Sequence, residues 1–386
     1  MTGLSLATFA PPAAACRLTV AIPARDEVRL LGNALEALAS QRSIAGGALP
    51  PGLFDVIVFA NNCRDATVDV ARTFAAAHPA VPTEVVYADL PSGLAHIGTA
   101  RKLVMDLAAS RFVASGRPRG LVATTDADTV VDSRWVAATL HESASVDAVA
   151  GHVTIAEAEL ATLLVPVRLL YSRERAYRRA LADAVAALDP LPHDPAPRHA
   201  SFVGASFAVA ADTYFAAGGL PPLALLEDRT FFEALCRIDA RVRHSLLVRA
   251  QTSGRRAGRV DGGFGAFVAH LYERGRSGET FFVPDPRTTL DEIELRALLR
   301  SVWWGEADEF DVQRATEILG GATASWLPLV DASKPFGAVY EAVCGRGTFR
   351  AYELVPVECA TAALRDAVAA RNAPSATRIT AASGAG

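Results

Sequence analysis

Four apolar runs of strand length each end abruptly at a polar cluster, and each gives way to apolar residues at helical spacing. Leu18-Thr19-Val20-Ala21-Ile22 stops at Pro23, and Arg25-Asp26-Glu27 then opens a helix marked by Leu30, Leu31, Leu35 and Leu38. Residues 55–60 stop at Asn61-Asn62-Cys63-Arg64-Asp65, before a helix through Val68, Val70, Ala71 and Phe74. Residues 84–88 are followed by Pro91-Ser92-Gly93 and a helix through Ala100, Leu103, Val104 and Leu107. Leu121-Val122-Ala123-Thr124-Thr125 stops at Asp126-Ala127-Asp128. Strands apolar on both faces, alternating with helices, specify an α/β fold with a mostly parallel sheet covered on both sides. Ligands of such sheets bind beyond the carboxyl ends of the strands. Asp26, Asn62 and Asp128 are therefore expected to line one crevice.

The fourth cluster carries the sharpest chemistry. In extended chain the side chains of residues i and i+2 point the same way, so Asp126 and Asp128 can converge on one ligand. Such hard oxygen donors suit Mn²⁺ or Mg²⁺, ions held by one or two carboxylates together with substrate phosphates. An isolated Asp-x-Asp reads equally well as an acidic turn capping the next helix. The neighbouring polar clusters at the same sheet edge favour a ligand.

Farther along, Trp135 begins a helix, residues 147–154 read as a strand, and residues 159–188 as a long amphipathic helix with Arg173, Arg175, Arg178 and Arg179 on its polar side. The proline-dense stretch 191–197 must be loop. Residues 202–210, with Gly204-Ala205-Ser206, read as a strand, and Glu227-Asp228 opens a helix through Phe231, Phe232 and Leu235. Residues 243–250 are the last clear strand, followed by the basic, Gly-punctuated Ser253-Gly254-Arg255-Arg256-Ala257-Gly258-Arg259 and a helix over 264–272. Beyond residue 275 the chain reads as an α-rich appendage, with helices near 290–303, 311–319 and 357–370. Its Trp303-Trp304 pair is expected in a helical core or, as the alternatives, at an acceptor platform or a homodimer contact. The expected division is an N-terminal extension (1–17), a catalytic domain (18–274, split into halves 18–130 and 131–274), a helical region (275–373) and a disordered tail (374–386).

Composition excludes several classes. A net charge of -4 leaves no broad basic field, which argues against nucleic acid as a partner. The five cysteines form no Cys-x-x-Cys pair, so neither a zinc site nor a disulfide framework is indicated. No apolar stretch is long enough to span a bilayer, and a soluble cytoplasmic protein is the expectation. A dinucleotide oxidoreductase lacks its Gly-x-Gly-x-x-Gly after the first strand.

The order of the clusters resembles family 2 glycosyltransferases of the GT-A fold, bacterial members included. Ile22-Pro23-Ala24-Arg25-Asp26-Glu27 is similar to their first strand and turn, residues 60–67 to their second-strand motif, and residues 93–101 to their Gly-rich third segment. Asp126-Ala127-Asp128 resembles their Asp-x-Asp motif, Glu227-Asp228 their downstream acidic pair, and Ser253 through Gly263 their basic tail. The likeness covers residues 18–263. Asn61-Asn62 departs from the usual acidic pair at that place.

The resemblance implies a GT-A Rossmann-like sandwich that takes a nucleoside diphosphate sugar as donor and a hydroxyl compound as acceptor. Pro23, Arg25, Glu27 and Asn62 would border the base and ribose, with Gly93, Arg101, Gly204 and Glu227 also in the substrate site. Asp126 would hold ribose or share the metal, Asp128 would coordinate it, and Asp228 would be the general base. A cation at the diphosphate is what sugar departure requires, and Arg255, Arg256 and Arg259 are candidates to add positive charge. A poor hydroxyl nucleophile needs a carboxylate to take its proton; the plain alternative for Asp228 is a carboxylate placed to suit a helix N-terminus. Inversion is the expected stereochemistry. The alternatives are a retaining transferase of the glucosyl-3-phosphoglycerate synthase kind, a nucleotidyltransferase, or an inactive GT-A-shaped binding protein.

Overall fold

In a computed structural model the described residues are 9–256, 263–345 and 353–373. The first half alternates strand and helix as expected: β1 (Leu18–Ala24), α1 (Leu31–Ala39), β2 (Phe54–Asn61), α2 (Thr67–Ala77), β3 (Thr83–Ala88), α3 (Ile97–Ala114), β4 (Leu121–Thr124). A three-residue strand β5 (Thr129–Val131) follows, then α4 (Trp135–Glu142), β6 (Ala148–Ile155), α5 (Glu157–Thr162) and α6 (Val165–Leu188). The next elements are β7 (Phe207–Ala210), α7 (Ala211–Ala216), α8 (Glu227–Arg237), β8 (Val242–Thr252) and α9 (Phe264–Ser277).

These strands form one eight-stranded sheet in the order β3-β2-β1-β4-β7-β6-β8-β5. Four pairings are parallel, and three, around β7 and the edge strand β5, are antiparallel. Alternation along β1 shows why its strand is apolar throughout. Leu18, Val20 and Ile22 pack with Leu31, Leu35 and Leu38 on one face, while Ala21 faces Val104, Met105 and Phe112 on the other. Each such fully buried leucine contributes on the order of 2 kcal/mol.

The long amphipathic segment is two helices rather than one. The chain breaks at Leu163–Leu164, and Pro166 sits in the first turn of α6, where it lacks only an N–H that would be unpaired anyway. The strand expected over 202–210 is ordered as a ladder only from Phe207. Upstream, the backbone of Gly204 is engaged by side chains instead, its N–H donating to Asp228 and its carbonyl accepting from Arg101.

The C-terminal region is helical, as expected: β9 (Phe282–Pro284), α10 (Pro286–Trp304), α11 (Glu309–Leu319), α12 (Thr323–Trp326), α13 (Phe336–Cys344), β10 (Leu354–Pro356) and α14 (Val357–Asn372). Sequence periodicity missed the β9–β10 pair and the two short helices α12 and α13. The region is fastened to the sheet domain by polar contacts. Asp189, at the end of α6, pairs with Arg296 and Arg300 of α10, and Asp239 accepts from the backbone N–H groups of Phe336 and Gly337. Trp303 packs on Phe336 inside this helical cluster, whereas Trp304 is 55% exposed. Residues 374–386, expected to be disordered, lie outside the described residues.

Candidate active site

A cavity of about 810 Å³ opens at the carboxyl ends of β1 and β4. Pro23, Arg25, Glu27, Arg101, Asp126 and Asp128 line one part of it, and Gly204, Glu227, Asp228 and Arg255 also face it. Residues from six separate parts of the chain thus meet in one space. Four expected residues do not line this cavity: Asp26, whose carboxylate accepts from Arg64 N at 2.7 Å, Arg256, whose guanidinium lies over the Tyr272 ring, and Gly93 and Asn62. Gly93 is exposed, with open space where a Cβ would stand. Asn62 lines a smaller adjoining cavity with Arg25 and Cys63, while Asn61 faces the main one. The Asn62 side chain clamps the turn after β3, its amide donating to Leu90 O at 2.9 Å and its oxygen accepting from Leu90 N at 3.1 Å. Arg259 and Gly262 fall outside the described residues.

Arg101 organises the centre. It projects from α3 and is only 3% exposed. Its guanidinium donates to Glu227 Oε1 at 3.2 Å, Thr124 Oγ1 at 3.2 Å, Gly204 O at 2.8 Å and Asp126 Oδ1 at 2.9 Å. Burial works against its charge, and Asp126 and Glu227 more than compensate, so it stays protonated. A Cβ on residue 204 would stand 2.6 Å from the Arg101 guanidinium carbon, which is why only glycine fits there. Arg101 therefore positions the carboxylates rather than presenting itself to a ligand.

Asp228 hangs from this hub. Its Oδ2 accepts from Gly204 N at 2.8 Å and its Oδ1 from Arg229 N at 2.7 Å. The residue before the pair, Leu226, has φ 60°, in the left-handed region, at the entry to α8. A non-glycine residue held there costs about 1–3 kcal/mol, a strain that clusters at functional sites. Glu227 is buried against Arg101, and burial pushes its carboxyl above the usual range in spite of that arginine.

At the cavity wall Arg255 bridges two acids, reaching Glu27 Oε1 at 2.7 Å and Asp128 Oδ2 at 2.9 Å. Asp128 also accepts from Thr252 Oγ1 at 3.5 Å. Burial, and then the charge of Asp126, push the Asp128 carboxyl up to about 6, with Arg255 opposing. Among the described residues, four carboxylates (Glu27, Asp126, Asp128, Glu227) pair with the two guanidiniums of Arg101 and Arg255. Carboxylate oxygens gathered at one cavity fit a divalent cation completed by phosphate oxygens. No group of three or more His, Cys, Asp or Glu forms a self-sufficient metal site among the described residues.

The rest of the cavity was not foreseen. His152, Tyr171, Arg175, Arg198 and His199 line its far part. The α6 arginines were visible in the sequence, but their helix reads there as solvent-facing, and nothing local marks His152 or His199.

Residues 14–191 match the family model described as Glycosyltransferase like family 2. No curated protein matches. Among solved structures, the chain is similar to the mannosyltransferase PcManGT from Pyrobaculum calidifontis in complex with GDP-Man and Mn²⁺ (16% identity, 95% of this chain and 89% of that one, TM-score 0.45). It is also similar to S. aureus TarS 1-349 in complex with UDP (13% identity, 85% and 90%, TM-score 0.41). A third is glucosyl-3-phosphoglycerate synthase from Mycobacterium tuberculosis with Mn²⁺, UDP and phosphoglyceric acid (15% identity, 74% and 89%, TM-score 0.36).

Proposed function

We propose that the chain, matched over residues 14–191 by a glycosyltransferase family 2-like model, is a divalent-metal-dependent transferase that moves a sugar from a nucleoside diphosphate sugar to a hydroxyl acceptor with inversion. The observation that carries this reading is the convergence of Asp126, Asp128 and Asp228 on one cavity, with Asp126 and Asp228 joined by a continuous chain of hydrogen bonds. Asp228 is held by Gly204, Gly204 by Arg101, and Arg101 by Asp126.

Asp128, with Asp126, would hold Mn²⁺ or Mg²⁺, which when bound supplies Lewis-acid stabilisation to the departing diphosphate. Pro23, Arg25, Glu27 and Asn61 border the space for the nucleoside. Asp228 accepts the proton of the acceptor hydroxyl as it attacks the anomeric carbon. The two backbone N–H groups on its oxygens hold the carboxylate in place. One base and one displacement give inversion.

Among the described residues no helix is long and apolar enough to cross a membrane. All five cysteines are free, which supports a reducing compartment such as the cytoplasm.

The test is a thermal-shift panel of UDP-, GDP- and dTDP-sugars with and without Mn²⁺. A bound ligand stabilises the native state by RT ln(1 + [L]/Kd). One donor should raise Tm in a Mn²⁺-dependent way. Absence of a Mn²⁺-dependent shift with every donor would refute the assignment.

A further inference from the structure

The proposed chemistry uses the acidic part of the cavity and leaves the part between β6 and α6 unexplained. This second part is built by an irregularity. The β6–β8 register jumps between Gly151, opposite Ser245, and His152, opposite Arg249, so Leu246-Leu247-Val248 bulge out of the ladder. Bulges re-aim side chains next to functional sites, and here His152 faces the cavity.

Arg175 reaches the same space from α6. It donates to His152 Nε2 at 3.3 Å and to the Tyr171 hydroxyl at 3.4 Å, and its guanidinium lies 5.7 Å from the Tyr171 ring centre. None of these partners carries a negative charge. The adjacent arginines differ: Arg178 pairs with Glu174, Arg179 with Asp183, and Arg198 with Asp194. Arg175 has no carboxylate partner among the described residues. The Tyr171 hydroxyl accepts from Ile155 N at 3.0 Å as well as from Arg175, which leaves its own proton to donate. Burial, and then the charges of Arg175, Arg249 and Arg179, push the His152 imidazole down to about 4. His199 beside it is pushed to about 3, by burial first and then by its neighbours His244 and His152. These rings are therefore neutral, and the uncompensated charge in this part of the cavity is that of Arg175.

We infer that the β6–α6 end of the cavity is a subsite for an anionic group, phosphate or carboxylate, carried by the acceptor. It rests on the transferase reading and gives that reading a substrate class. A guanidinium with neutral neighbours and a free phenolic donor supplies the charge-assisted hydrogen bonds that such an anion takes. The position agrees with an acceptor rather than a donor. His199 at this end and Gly204 at the other belong to one lining segment, and Gly204 holds Asp228. The proposed base and Arg175 thus line the same cavity.

The experiment is calorimetric titration of the full chain with potassium phosphate and with malonate at constant ionic strength. It is done on wild type, Arg175→Met and Arg175→Lys, with folding checked by circular dichroism. Wild type should bind at least one of the two anions at millimolar or lower concentration. Arg175→Met should weaken that binding at least tenfold and Arg175→Lys should restore most of it. The affinity for the donor found in the panel, measured with Mn²⁺, should change less than twofold. Whichever of phosphate or malonate binds more tightly identifies the acceptor's anionic group. Failure of both anions to bind, binding indifferent to Arg175→Met, or an equal loss of donor affinity would overturn the inference. Anion binding at Arg175 without donor binding would instead overturn the transferase reading, and with it the assignment of the anion to an acceptor, while leaving the anion subsite itself.

Discussion

Replacing Arg101 by Met isolates what the central guanidinium does. The methionine stem fills most of the volume, so the cost is electrostatic rather than a cavity. Glu227, 6% exposed, would lose the cation that supports its charge. Its penalty is capped by protonation. Taking up a proton at pH 7 costs a carboxyl with an ordinary value near 4.3 about 3.7 kcal/mol, and at pH 5 only about 1 kcal/mol. The hydrogen bonds to Gly204 O and Thr124 Oγ1 add about 1 kcal/mol each at either pH. Asp126 adds little, because its side chain is 31% exposed and water replaces the arginine. The variant should therefore lose up to about 6 kcal/mol at pH 7 and about 3 kcal/mol at pH 5. Urea unfolding followed by tryptophan fluorescence at the two pH values reads both numbers. Adding Glu227→Gln should abolish the difference between them. A deficit below about 1 kcal/mol at pH 7, or one that does not narrow toward pH 5, would refute this account of the hub.

Asp228→Asn should leave donor affinity within twofold and lower the transfer rate by about 10²–10⁴, read by donor titration and initial rates; undiminished transfer removes Asp228 as base. Gly98→Ala would place a Cβ 1.8 Å from Leu223 O, displacing the segment that leads into α8. It should cost about 1–3 kcal/mol in urea unfolding and slow transfer more than it weakens donor binding. Asp194, 2% exposed, carries burial as an opposing influence, but His244, Arg198 and Arg243 outweigh it and hold its carboxyl down at about 2. Because the folded-state value is depressed, this stabilisation is complete above about pH 5 and is lost as pH falls toward 2. Asp194→Asn should cost about 3 kcal/mol at pH 7 and flatten the stability profile between pH 5 and 2.

What the sequence disclosed follows from which interactions are local. Strands buried on both faces are apolar without interruption, so β1, β2 and β4 and the acids at their ends were readable from pattern alone. The acid pairs were readable for the same reason, since Asp126, Asp128, Glu227 and Asp228 sit where a strand or a helix begins or ends. The segment before β7 was misread because Gly204 gives its backbone groups to Arg101 and Asp228, more than twenty residues away in either direction. β5, β9 and β10 have three residues each, too few to show a period, and they exist through distant partners. The basic end of the cavity was hidden for a further reason. His152 faces the cavity where β8 bulges opposite it, and the charge of Arg175 matters because no carboxylate pairs with it among the described residues.

The central claim is that Asp128 holds a divalent cation against the donor diphosphate. Its most direct measurement is titration of the panel's best nucleoside diphosphate sugar into wild type and Asp128→Ala, each with and without Mn²⁺. Wild type should bind at least tenfold more tightly with Mn²⁺, and Asp128→Ala should lose that enhancement while keeping the weak metal-free affinity. An undiminished Mn²⁺ enhancement in Asp128→Ala would contradict it.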